Sequence, residues 1–113
     1  MSTKIRITTS VAQVLAVFLE DPQDERYGLE LMRATGQPSG TLYPILTRLQ
    51  AAGWLRAEWE DVDPSAQGRP ARRYYLLTAD GVAAARTELA VLYATLRPER
   101  APGTTGPAPS AGW

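Results

Sequence analysis

The apolar residues of this chain change period at Gly53, and that change limits the fold more than any other feature. Before Gly53 they recur at helical spacing; after it they alternate, and from Thr78 onward the helical spacing returns. The order of elements is therefore helix, helix, helix, strand, long loop, strand, helix. A chain of 113 residues holds one such small domain with a tail, not two domains.

Val11, Val14, Leu15, Phe18 and Leu19 fall on one stripe and predict an amphipathic helix over 8–20, stopped by Pro22. A shorter helix is expected from about Tyr27 to Thr35, started by Asp24 or Glu25 and closed by a left-handed Gly36. On it Tyr27 and Leu31 share a face. Gln37 and Pro38 turn the chain into a third helix over about 39–52, with Leu42, Ile45, Leu46 and Leu49 as its inner stripe and Gly53 as its stop. Pro44 lacks an N–H to donate within that helix. The loss costs nothing if Thr41 is the N-cap, and distorts the first turn if Ser39 is.

Leu55, Ala57 and Trp59 alternate with Arg56, Glu58 and Glu60, as in a half-buried strand. Residues 71–78, ARRYYLLT, read as its antiparallel partner across a polar loop carrying Pro64, Gly68 and Pro70. Thr78 is the expected N-cap of the last helix, with Asp80 in the first turn. There Val82, Ala85, Leu89, Leu92 and Leu96 are spaced three and four apart, a coiled-coil pattern lasting little more than two heptads. Residues 1–7 form an arm, and the Pro/Gly/Ala-rich residues 98–113 a disordered tail. The fold class is mainly α with a small β-hairpin (α+β), a winged helix-turn-helix in the order α-α-α-β-wing-β-α.

Cysteine and histidine are both absent. That removes disulfides, Cys/His metal sites, thiol nucleophiles and imidazole bases, and neither a phosphate loop nor a nucleophile elbow is present. No enzyme activity, cofactor or metal is expected. No apolar run approaches the ~18 residues of a membrane span, and the N-terminus has no signal-peptide pattern, so a cytoplasmic protein with no membrane partner is expected. Twelve basic residues balance twelve acidic ones. A neutral total argues against nucleic acid, so the distribution of charge decides. Eleven of the twelve basic residues are arginine, the side chain suited to bidentate phosphate and guanine contacts.

Several runs of residues then stand together. Tyr27-Gly28 is followed by Ser39-Gly40-Thr41-Leu42-Tyr43-Pro44, Leu46, Leu49 and Gly53. Gly68-Arg69-Pro70 falls in the wing loop, with Tyr74-Tyr75 and Leu77-Thr78-x-x-Gly81 after it. This stretch resembles the PadR family of bacterial regulators, by motif over about half the chain and by pattern over roughly 8–97. The resemblance implies a sequence-specific DNA-binding regulator, usually a repressor, whose C-terminal helices make a homodimer. A small apolar effector is a further partner it implies. On this reading 8–78 is the DNA-binding domain and 79–97 the dimerisation helix, short for the family.

The third helix would enter the major groove with its N-terminal residues toward the bases. Ser39, Gly40, Thr41, Tyr43, Thr47 and Arg48 lie off its apolar stripe and are the candidates for DNA contact. The plain alternative is that Ser39 or Thr41 only caps the helix and Tyr43 packs at its edge. Arg69, Arg72 and Arg73 are the wing candidates, with Arg69 on a loop tip near a minor groove. Their alternative is a solvated hairpin neutralised by Glu58, Glu60, Asp61 and Asp63. Lys4 and Arg6 add phosphate candidates in the arm. Trp54, Trp59, Tyr74 and Tyr75 read as core and cross-strand packing rather than a ligand pocket. Val82, Ala85, Leu89, Leu92 and Leu96 are the candidate dimer seam beside the first helix, with Leu89 and Leu92 better placed to reach a partner. A rival reading, favoured by the neutral charge, is a winged helix that binds proteins and has no useful DNA affinity.

Overall fold

Thr8 opens the first helix, α1 (Thr9–Glu20), by accepting the Val11 N–H on its hydroxyl at 3.2 Å. The computed structural model of the chain describes residues 5–96; Lys4 and the tail expected at 98–113 lie outside the described residues. Helix α1 buries Ala12 and Val17 as well as Val11, Val14, Leu15 and Phe18, a wider face than one stripe, because α2, α3 and α5 all pack against it.

Arg26–Tyr27 form a two-residue strand, β1, and α2 runs from Gly28 to Thr35. The expected helical start at Tyr27 is thus one residue early, and neither Asp24 nor Glu25 caps it. Tyr27 is extended because β1 pairs with a later strand, and its N–H donates to Glu30 at 3.3 Å. Arg26 is buried and donates to the Val17 carbonyl at 3.1 Å and to Glu30 at 2.7 Å, tying the end of α1 to α2. Gly36, at φ 73°, ends α2 as expected. Gln37 is buried in the following turn, its amide donating to the Ser10 carbonyl at 2.9 Å and the Gln13 side chain at 3.1 Å. The turn between α2 and α3 (Ser39–Ala51) is therefore pinned to the first turn of α1.

Beyond Gly53 come β2 (Leu55–Trp59), a four-residue helix α4 (Pro64–Gln67) inside the wing, and β3 (Arg73–Leu77). The sheet has three antiparallel strands in the order β1-β3-β2, where the period had indicated two. Leu55 opposes Leu77 and Ala57 opposes Tyr75, and Leu55, Leu77 and Tyr75 are buried on the face turned to the helices. Trp59 opposes Arg73 on that face but is 60% exposed, so the expected core role fails for it: the helices do not extend so far along the wing. Tyr74, on the other face, is half-buried against Tyr27, ring centroids 6.0 Å apart.

Helix α5 (Ala79–Leu96) starts at Thr78, whose hydroxyl accepts the Gly81 N–H at 2.9 Å and donates to the Gly53 carbonyl at 2.7 Å. Gly81 lies flat on the backbone of Trp54; any Cβ there would collide with the Trp54 carbonyl. That close approach sets the angle at which α5 leaves the sheet and runs along α1. No described helix is long and apolar enough to cross a membrane.

Candidate nucleic-acid interface

Leu42, Ile45, Leu46 and Leu49 are each no more than 3% exposed, which fixes the rotation of α3 about its axis. Ser39, Gly40, Thr41, Tyr43, Pro44, Thr47 and Arg48 are all left exposed. Neither Ser39 nor Thr41 caps the helix: the N-cap is Pro38, which has no side-chain donor or acceptor to offer. The backbone N–H groups of Ser39 and Gly40, in the first turn, lie too early for an intrahelical acceptor. Pro44 is the sixth helical residue, so the bond to the Gly40 carbonyl is missing, but both residues are exposed and water can satisfy that carbonyl. The Thr47 hydroxyl donates to the Tyr43 carbonyl at 3.0 Å, closing the outer face without covering it.

Tyr43 is 40% exposed and leans across the start of α2, its ring and hydroxyl where a Cβ of Gly28 would be. Only glycine at position 28 admits this contact, which links Tyr27-Gly28 to Tyr43-Pro44 fifteen residues on.

The wing is held at its root by Glu60. It accepts from the Arg69 guanidinium at 2.8 Å, the Arg72 N–H at 2.9 Å and the Tyr27 hydroxyl at 3.1 Å. The Arg69 guanidinium and the Arg72 N–H hold its carboxyl down to about 2. Burial and the bond to Glu60 in turn raise the Tyr27 phenol above its usual range. The loop tip is α4, started by Asp63 accepting the Ser65 N–H at 3.0 Å and ended by Gly68 at φ 70°. Arg69, expected at the tip, instead folds back to the base of the wing, because Glu60 offers it a carboxylate there. Arg72 and Arg73 are exposed, and neither forms a salt bridge among the described residues.

Two clefts flank α3. One, of about 360 Å³, is lined by Tyr27, Leu29, Tyr43, Arg72, Arg73 and Tyr75, so it joins the third helix to the wing. The other, of about 350 Å³, brings Arg48 together with Ile5, Arg6 and Thr8. The expected seam on α5 divides along its length. Ala85 (0%) and Leu89 (8%) are buried in the chain's own core, where α1 covers them, so Leu89 does not reach outward as expected. Val82 and Leu92 are half-buried against that core. Leu96 is 68% exposed, beside Tyr93 at 61% and Val91 at 57%. Sequence reasoning missed the roles of Gly28, Glu60 and Trp59. The Tyr27-Gly28 and Tyr43-Pro44 runs were visible, but the contact between them was not.

Two helices joined by a pinned turn, the second bare on its outer side, with a three-stranded sheet drawn out into a wing, define a winged helix-turn-helix protein. Residues 14–87 match the transcriptional regulator PadR-like family, and the chain belongs to that family. It is a transcriptional regulator, not an enzyme. Among solved structures it is similar to a PadR-like transcription factor from Bacteroides fragilis, at 26% identity and TM-score 0.59 over 78% of this chain and 85% of that one. It is also similar to smu.1704 from Streptococcus mutans UA159, at 25% identity and TM-score 0.59 over 82% and 88% of the two chains. The fold alone is shared with overoxidized AbfR bound to DNA, a Staphylococcus epidermidis protein, at 24% identity and TM-score 0.62 over 80% of this chain and 60% of that one. No curated protein sequence matches the chain.

Proposed function

We propose that the protein is a sequence-specific DNA-binding repressor that acts in the cytoplasm as a homodimer on an inverted-repeat operator. One observation carries this reading: Tyr43 of the third helix and Arg72 and Arg73 of the wing line a single cleft, with no acidic side chain among its lining residues. A neutral protein can bind DNA if enough unpaired arginines flank the reading helix, and Arg72 and Arg73 on one cleft with Arg6 and Arg48 on another support this. In this reading α3 lies in the major groove, with Ser39, Gly40, Thr41, Tyr43 and Thr47 toward the bases and the near phosphates. Arg48 and Arg6 grip the backbone on one flank, Arg72 and Arg73 on the other. Arg69 reaches DNA only by exchanging Glu60 for a phosphate, so it ranks below Arg72 and Arg73. The AbfR complex, a protein of the same fold seen on DNA, supports the mode of binding.

A lone winged helix reads too few base pairs for the roughly 10⁻⁸ M affinity of a specific regulator. The bare end of α5, with Val91, Tyr93 and Leu96, is the apolar surface offered to a second copy. Leu92 and Leu96 also line a groove of about 190 Å³ between α1 and α5, the seat we assign to a small apolar effector. The test is selection of an operator from random DNA, followed by affinity measured from low to physiological salt. Binding to an inverted repeat that weakens steeply with salt is expected, because displaced counterions gain entropy. No selected sequence, or a flat salt response, would favour the protein-interaction reading instead.

A further inference from the structure

Trp59 is the one exposed aromatic residue of the described sheet, packed neither in the core nor in the Tyr27–Tyr74 pair. It is 60% exposed at the wing end of β2, past the last core pair, Ala57 and Tyr75. Its cross-strand partner is Arg73, whose guanidinium carbon lies 5.5 Å from the centroid of the Trp59 ring. That is within the ~6 Å reach of a cation–π contact, for which indole is the best ring.

The two acids that flank Trp59 in the chain are already engaged. Glu58 pairs with Arg56 at 2.7 Å and accepts from Tyr74 at 3.4 Å, while Glu60 is held by Arg69, Arg72 and Tyr27. Arg73 is thereby left to the indole. The difference matters chemically. A carboxylate would take up the N–H donors of the guanidinium in hydrogen bonds, whereas an aromatic ring holds the cation without a conventional acceptor. Held over the Trp59 ring, and with no salt bridge among the described residues, Arg73 keeps its N–H donors unspent, and it also lines the cleft shared with Tyr43.

The geometry points to Trp59 as a positioning residue for DNA binding: it holds Arg73 by a cation–π contact, so that the free guanidinium donors meet a phosphate of the strand lying between α3 and the wing. This rests on the DNA-binding reading above and names a part of it that motif and periodicity do not reveal. Holding the arginine in advance removes part of the ordering cost that a mobile surface side chain incurs on binding.

The test is a double-mutant cycle on the full chain with the selected operator, read as affinity and as the slope of log affinity against log salt. Arg73→Ala is expected to weaken binding about tenfold and to reduce the slope by about one phosphate. Trp59→Ala is expected to weaken it about two- to five-fold, the range of an exposed cation–π contact, and to reduce the slope in the same direction. The double variant should be no weaker than Arg73→Ala alone. Trp59→Phe, which keeps a ring face, should stay near wild type, and Trp59→Leu, which keeps only apolar bulk, should match Trp59→Ala. The Phe and Leu pair also separates positioning from any loss of folding in the Ala variant. Multiplying effects, a Trp59→Ala slope equal to wild type, or Leu as good as Phe would overturn the role of Trp59 while leaving the DNA-binding reading intact. A wild type that selects no operator overturns both.

Discussion

Helices α3 and α5 each carry one apolar stripe, yet the two stripes end differently. On α3 all four inner residues disappear into the domain, and what remains outside is polar, small or aromatic. On α5 the stripe begins inside, with Gly81, Ala85 and Leu89 buried, and ends outside, with Leu96 bare. The N-termini differ in the same way. Thr78 spends its hydroxyl on the start of α5, whereas Ser39 and Thr41 keep theirs beside an uncapped α3. A helix whose stripe is wholly consumed presents a polar face to a polar partner. One whose stripe outruns the core leaves an apolar end exposed, the surface the proposed dimer would use.

The largest expected effect tests the two stripes directly. Leu46→Ala, in the consumed stripe, should lower unfolding free energy by about 2–5 kcal/mol. Leu96→Ala should stay within about 0.5 kcal/mol when unfolding is measured at a concentration where the protein is monomeric. Equal costs in denaturant titrations would mean that the end of α5 is covered within one chain, and the comparison would collapse.

Next in size is the bare end itself. Tyr93→Asp combined with Leu96→Asp should give a folded protein that sediments as a monomer. Its operator affinity should fall about a hundredfold or more, since half of the inverted repeat is no longer held by the same molecule. A variant that remains dimeric by sedimentation would move the seam elsewhere.

The N-termini predict a smaller contrast. Thr78→Ala removes a cap and should cost about 1 kcal/mol of stability. Ser39→Ala and Thr41→Ala should each stay within about 0.5 kcal/mol of wild type and yet weaken operator binding. Thermal unfolding beside binding on the same samples reads both. A Ser39→Ala variant as destabilised as Thr78→Ala would restore the capping role that its place in the sequence suggests.

The smallest effect concerns the wing that stands beside α3. Glu60 in the folded protein titrates near 2, below the usual carboxylate value. Its contribution is therefore fully present above the unfolded pKa of about 4.3, and is lost as pH falls toward 2. Glu60→Gln should melt below wild type at neutral pH, with the gap closing between about pH 4.3 and 2. A gap that does not change with pH would mean that Glu60 holds the wing by shape and not by charge.

Most of the helical frame is legible in the amino-acid sequence. The stripes of α1 and α3, the left-handed Gly36, and Thr78 as a cap all lie within one or two helical turns of the residues they act on, and local spacing reports such relations. What escapes it depends on partners far along the chain. Strand β1 is only two residues long and is extended because Tyr74 and Tyr75 lie beside it. Arg69 reads as a loop-tip cation until Glu60, nine residues earlier, is brought to its side. Leu89 reads as outward until α1 covers it.

The sequence alone determined the order of the four long helices and the two wing strands, most of their apolar faces, and the family-like runs around Tyr43-Pro44 and Gly68-Arg69-Pro70, because these are set by neighbours within a few residues. Tertiary structure decided which arginines remain unpaired, which end of α5 is bare, and that Trp59 stands under Arg73 outside the core. These outcomes are differences between competing long-range contacts. A carboxylate can hold one guanidinium or another, and a leucine can be covered by its own chain or a second one; only the packed arrangement selects between them.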